Sequence, residues 1–277
     1  MTCYLYLLTP PSVIDVQGGT FALYNNENTG WENNKADLNV ASGATFWVEG
    51  TSVGFVDVIS GNGTIKGGST NGTGRLTIGV NNGSGTFSGA ITDHTGGNLQ
   101  ITKSGSGIQT LSGTNSYTGT TLVSSGTLLI NGNQTLATGT TTVSSGARIG
   151  GNGTIGGNLA LDSGAQFVLN LSTPLTVLGT VSLDNTFSIA SLVNADGSVI
   201  DWSGVAENTY TVISNNSSFS NIQNWGYANR AINLGGGREA YFDTGSLDLH
   251  VVPEPATWAL LAFSLTTVVV LRRRRNI

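Results

Sequence analysis

Charge is scarce in this chain. Charged residues make up 10% of its 277 residues, well under half the share usual in soluble domains. Disorder is the wrong explanation, because disordered chains combine high net charge with low hydrophobicity, and here 38% of residues are hydrophobic. Basic residues are scarcer still. Four of the eleven form one block, Arg272 to Arg275, and the body before Pro253 keeps 7 Lys and Arg against 15 Asp and Glu. An acidic body offers no basic face to a phosphate backbone, so no nucleic-acid partner is expected. The one cysteine, Cys3, builds neither a disulfide framework nor a Cys-type zinc site. The two histidines, His94 and His250, lack a second His or a carboxylate cluster at ligand spacing, so no metal or cofactor is expected. Helical periodicity is missing too: residues 20–250 hold no long segment with apolar residues at i, i+3, i+4 and i+7.

Glycine is abundant, at 40 residues, with Ser, Thr and Asn supplying the polar share. Short alternating runs take the place of helices. Leu76, Ile78 and Val80 form one; Leu99 and Ile101 another; Phe167, Leu169 and Leu171 a third; Leu247, Leu249 and Val251 a fourth. Period-two patterning puts each set on one buried strand face, and the Gly, Asn and Ser clusters between them read as turns. The units repeat. Ser-Gly followed by Ala or Thr recurs at 42–44, 125–127, 145–147 and 163–165, and Gly-Asn-Gly-Thr-Ile occurs at 61–65 and 151–155. A turn and strand recurring every ~20 residues is the pattern of a solenoid, whose coils bury a shared core only by stacking. Low charge then has a cause, since a charge repeated in register would stack on its like about 5 Å away.

These features predict an all-β chain with four parts. Residues 1–19 are a degenerate or truncated export signal, because Cys3 to Leu8 is apolar but short and lacks a basic leader. Residues 20–175 form the solenoid, with about seven coils over 40–175. Residues 176–250, denser in aromatics, form a β-rich cap that closes the open end, with Trp202 and Trp225 in its core. Residues 251–277 form a tail, in which the apolar run Ala256 to Leu271 makes a single hydrophobic helix of about 24 Å. Trp258 suits one membrane interface and Arg272, Arg273, Arg274 and Arg275 the other, leaving the body outside.

Other motifs carry little. Gly151 to Gly156 matches G-x-G-x-x-G, but a strand-like stretch follows where a nucleotide site needs a helix. Gly235-Gly236-Gly237-Arg238 reads as a loop rather than an anion nest. Asp196 with Asp201, and Asp243 with Asp248, are the acidic pairs an enzyme on this scaffold would use. Solvated turn aspartates account for both pairs.

Two stretches resemble known families. Residues 97–130 look like the autotransporter-associated β-strand repeat. Lys103, Gly105, Gly107, Leu111, Gly113, Asn115, Tyr117, Gly119, Thr121, Gly126 and Leu128 match its signature position by position. The resemblance implies a right-handed parallel β-helix on the cell surface and no catalytic residue. Val252 to Trp258, the apolar run and the arginine block are similar to the PEP-CTERM sorting signal of Gram-negative bacteria. That resemblance implies recognition of Pro253, Glu254 and Pro255 by an exosortase, a membrane protease, with transient anchoring in the inner membrane. Together they imply an exported, non-enzymatic surface or extracellular-matrix protein, adhesin-like or biofilm-associated, contacting exopolysaccharide or neighbouring surface proteins. The alternative is a polysaccharide lyase or hydrolase on the same scaffold.

Overall fold

Parallel pairing organises most of the chain, as the recurring turn-and-strand unit implies. The structure is a computed structural model and describes residues 12–24, 31, 34–70, 72–215, 222–224, 226, 231–243 and 247–254. Each coil passes through up to three short strands, and each strand pairs in parallel with its counterpart one coil away. The first face is a nine-stranded sheet that runs from Val13–Val16 through Ile108–Leu111, Thr127–Ile130, Arg148–Gly150 and Gln166–Val168 to Leu192–Val193. The third face is a seven-stranded sheet from Val53–Val56 to Val181–Leu183. The second face is split into two four-stranded sheets, and residues 112–120 between them carry no strand. Those residues still bond to both neighbours: Ser116 N–H donates to the Ile91 carbonyl (2.8 Å) and Asn115 N–H to that of Asn133 (2.9 Å).

The solenoid has about eight turns. Its period is looser than the expected twenty residues: Ile149 sits beneath Phe167, 18 residues on, while Gly61 sits beneath Phe87, 26 residues on. The parallel ladder also reaches past both expected limits, 20 and 175. It takes in Val13–Val16 at one end and Leu192–Val193 and Ile213–Ser214 at the other.

Stacking places like on like inside. On the third face Val56, Ile78, Val123, Val143 and Leu161 occupy one inward column, and all are buried. Each such side chain contributes about 1.5–3 kcal/mol by leaving water. Leu76, Leu99 and Ile101 are buried as expected. Two runs end sooner than the alternation suggests. Val80 lies half-buried in a turn. Leu169 and Leu171 lie half-buried beyond the strand Gln166–Val168, because the Asn170 side chain accepts from Ser172 and Thr173 N–H and turns the chain.

The corners explain the glycine. At the turn from the first to the second face, a Cβ on Gly89, Gly113, Gly132 or Gly153 would lie 1.9–2.2 Å from the carbonyl oxygen of the glycine one coil below. A similar column runs through Gly119, Gly139, Gly157 and Gly179, and a third joins Gly79, Gly105 and Gly126. The backbones stack too closely for a side chain. Gly126 of the Ser-Gly-Thr turn also needs φ = +64°, which L side chains rarely adopt. Both Gly-Asn-Gly-Thr-Ile copies occupy the same corner and bury their isoleucines, Ile65 and Ile155.

The cap begins later than 176. Its antiparallel sheet comprises Asn208–Thr211, Asp248–Pro253, Arg238–Phe242 and Ile232–Gly235 in that spatial order. It extends to Pro253, into the segment expected to be tail. Phe187 stacks on Phe242 (6.0 Å between centroids) where cap meets solenoid. Among the described residues, helix is confined to the single turns Ile189–Ser191 and Trp202–Gly204, and no helix is long and apolar enough to cross a membrane. The expected C-terminal helix, the residues Cys3 to Leu8 and Trp225 lie outside the described residues.

Candidate functional site

The most unusual chemistry lies inside the solenoid, at the residues of the 97–130 signature. Among the described residues, seven of the ten buried polar or charged ones fall between Lys103 and Thr141. Lys103 occupies the aliphatic column of the third face, between Ile78 and Val123, and is fully buried. Its ammonium donates to the carbonyls of Ser104, Gly105 (3.0 Å) and Ser125 (3.4 Å), tying two successive corner turns together. Burial lowers its pKa from 10.5 to about 8, with the Asp57 carboxylate opposing the shift and Arg148 adding to it. Asp57 is itself buried and accepts from the N–H groups of Asn81 (2.8 Å) and Gly83 (2.9 Å).

The rest of the signature replaces backbone pairing where the second face is broken. Asn115 is buried, and its amide oxygen accepts from Ile91 N–H (2.8 Å). Tyr117 is buried with its hydroxyl 2.7 Å from that of Thr121, and burial raises its pKa to about 12. Leu111 and Leu128 fill the core. Gly105, Gly107, Gly113, Gly119 and Gly126 all sit where a Cβ would meet a carbonyl of the coil below. Gln109, which the signature does not mark, bonds across the interior to Ile59. Its signal in the sequence was a polar residue at an inward position between Ile108 and Leu111.

Of the acidic pairs, Asp196 and Asp201 are turn residues, whereas Asp248 opens the cap strand Asp248–Pro253. The Asp196 carboxylate accepts from Ser198 N–H and Oγ–H, and that of Asp201 from Ser203 N–H (2.9 Å). These bonds hold both carboxyls below their usual range, the reverse of what a general acid needs. His94 stacks on Trp47 (4.8 Å). Arg238 donates to the carbonyls of Val205, Trp202 and Ser203, so its guanidinium braces the cap rather than serving an anion nest at Gly235 to Gly237. Gly151 to Gly156 is a coil corner between two strands.

One constellation escaped sequence reasoning. On the cap, Thr209 Oγ1 lies 2.9 Å from His250 Nδ1, and His250 Nε2 lies 3.7 Å from Asp243 Oδ2. It has the residue types of a hydrolytic triad, brought together by cross-strand pairing of Thr209 and Tyr241 with His250. The 3.7 Å separation is too long for the hydrogen bond that orients a catalytic base.

Residues 101–130 match the passenger-associated-transport-repeat family. No curated protein and no solved structure is significantly similar to the chain. The match supports the autotransporter-associated reading of this stretch, and the geometry accounts for the repeat's residues: the glycines let coils stack closely, Lys103 and Asn115 bond one coil to the next, and Leu111 and Leu128 fill the core. In this chain the transport repeat spans one coil and the start of the next, and its strands Ile108–Leu111 and Thr127–Ile130 pair in register.

Of the expected sorting motif, Pro253 and Glu254 are described. Pro253 ends the last cap strand opposite Arg238, and Glu254 N–H donates to the Gly237 carbonyl (2.7 Å). Pro255, Trp258 and Arg272 to Arg275 lie outside the described residues.

Proposed function

We propose that the chain is an exported, non-catalytic scaffold of the cell surface or extracellular matrix. Its adhesin-like or biofilm-associated role is to hold a rigid, nearly uncharged stack of coils away from the cell. The observation that supports this reading is the inward use of the transport repeat: Lys103 and Asn115 bond one coil to the next inside the stack, and the Tyr117 and Thr121 hydroxyls pair in the interior of a single coil. Its most distinctive residues therefore support architecture. Exported passenger-like proteins are the setting in which such repeats are expected.

The tail supplies delivery in this reading. An exosortase-type protease of a Gram-negative bacterium recognises Pro253-Glu254-Pro255 while the apolar run and Arg272 to Arg275 hold the precursor in the inner membrane. Mass spectrometry of the mature termini tests export and cleavage together. Glu254→Ala, or deletion of Arg272 to Arg275, is expected to leave unprocessed precursor in the inner membrane, and normal release of both variants would overturn the sorting role. Turnover of an exopolysaccharide, lost on Asp196→Asn or Asp201→Asn, would replace the scaffold with the enzymatic alternative.

A further inference from the structure

The outer surface of the first face carries a groove of about 420 Å³, within the size range of small-ligand sites. Register creates it. Leu129, Gly150 and Val168 are paired neighbours on three successive coils. Gly150 carries no side chain between the other two, and Val168 packs into the place its Cβ would take, 2.6 Å away; Leu129 and Val168 line the groove. Two residues after each of these positions comes an asparagine: Asn131, Asn152 and Asn170 stand in one row along the groove. The far wall is the loop 194–200, which folds back over the first face. Its Ala195 carbonyl accepts from Thr127 Oγ1 (2.7 Å), and Asn194 and Ile200 line the groove.

The chemistry of the lining is narrow. No charged side chain is among the described residues that line it. Arg148 points its guanidinium beneath the loop to Thr127 (2.8 Å) and Gly197, and the Asp196 carboxylate within the loop is taken by Ser198 N–H and Oγ–H. The Asn131 oxygen accepts from Asn152 N–H (3.3 Å) and the Asn170 oxygen from Ser172 N–H. Among the described residues, no acceptor takes the amide nitrogens of these two, and the Asn152 carboxamide has neither a donor nor an acceptor partner. Free carboxamides over an aliphatic floor suit a ligand with hydroxyls on its edges, apolar C–H faces and no charge. The coil rise of about 4.8 Å is close to the length that one pyranose ring adds to an extended glycan, so successive amides meet successive rings.

We propose that the row Asn131, Asn152 and Asn170, over the floor of Leu129 and Val168 and beside the loop 194–200, is a binding groove for a neutral oligosaccharide. This rests on the scaffold reading and gives the scaffold a ligand class. Asn152 contributes most, because its whole carboxamide is free. Nucleic acids and uronate polymers are disfavoured, since nothing in the lining neutralises their charge.

The test is calorimetric titration of the purified chain with cellotetraose, maltotetraose and chitotetraose, and with tetragalacturonate as the acidic probe. At least one neutral probe should bind saturably in the millimolar range or tighter. Asn152→Ala should weaken it about ten-fold, or ~1.4 kcal/mol, with an unchanged urea midpoint, and Leu129→Trp, which puts an indole into the groove, should abolish it. Absence of saturable binding by all three neutral probes overturns the proposal. So does equal binding of tetragalacturonate, or affinity that neither substitution changes. New reducing ends released during the titration would count against the scaffold reading, whereas a plain lack of binding counts against the groove alone.

Discussion

The Gln109 carboxamide hydrogen-bonds both backbone groups of Ile59, two coils away: its oxygen accepts from Ile59 N–H (3.2 Å) and its nitrogen donates to Ile59 C=O (3.0 Å). The coil between them cannot do this work. Its strand Gly85–Phe87 pairs with the strand Ile59–Gly61 only at Gly61 and Phe87. The Gly85 carbonyl takes a bond from the same amide (3.2 Å). Gln109 thus acts as a rung of backbone supplied by a side chain.

Gln109→Leu keeps the volume and removes the rung. It leaves the N–H and C=O of Ile59 buried without partners, at about 1–3 kcal/mol each in the limit. A loss of roughly 2–3 kcal/mol is expected, measured by urea unfolding. A loss below ~0.5 kcal/mol would show that the intervening coil closes up to pair with Ile59 itself.

Lys103 makes stability depend on pH in a particular direction. Burial lowers its folded pKa from 10.5 to about 8. Below pH 8 the residue is protonated in both states, and the desolvated charge weighs against folding. Between 8 and 10.5 the unfolded chain binds more protons than the folded one, so stability rises with pH, by up to ~3 kcal/mol over the full span. Tyr117 bounds the window. Its folded pKa is raised from 10.0 to about 12, so above pH 10 the unfolded chain loses its proton first and stability falls. The urea midpoint should therefore climb between pH 8 and 10 in the natural chain and stay level in Lys103→Met. Equal slopes would mean that the ammonium is better solvated than its burial indicates.

The sequence made the solenoid legible because its signals are local. Alternation at Leu99 and Ile101 marks an inward column, and Gly-Asn-Gly-Thr-Ile marks a corner wherever it occurs. The limits were harder to read, because late coils carry strands of two residues, such as Leu192–Val193 and Ile213–Ser214, too short to show a period. Lys103 was legible as part of a repeat signature, but its inward direction was not, since nothing local tells a lysine that solvates its amine from one that crowns carbonyls inside a coil. The groove and the Thr209–His250 contact were invisible for a different reason. Their parts lie 18 to 41 residues apart and meet only through register.

Two glycines separate conformational strain from steric exclusion. Gly146 has φ = +75° with open space where a Cβ would stand. Gly146→Ala should lose only the left-handed penalty, roughly 1–2 kcal/mol. Gly105 has φ = +62°, and its Cβ would lie 1.9 Å from the Gly79 carbonyl oxygen. Gly105→Ala must push two coils apart, and a loss of about 4 kcal/mol or more is expected. Thermal unfolding of the pair checks this; similar losses would mean that the coils have room to part at this corner.

The loop 194–200 should detach without unfolding the solenoid. Its hold on the first face includes Thr127 Oγ1, which donates to Ala195 and accepts from Arg148 Nε. Thr127→Val preserves shape in a fully buried position and deletes both bonds, leaving the Ala195 carbonyl to water. Hydrogen exchange should quicken at residues 194–200 while the strands Thr127–Ile130 and Arg148–Gly150 keep their protection, since their ladder bonds are untouched. The same substitution should loosen the wall formed by Asn194 and Ile200 and so weaken oligosaccharide binding, without altering the Asn131, Asn152 and Asn170 row. Exchange that quickens equally in the strands would instead make the loop part of the cooperative stack. In that case the groove wall and the coils beneath it would open together, and binding would track global stability rather than the position of the loop.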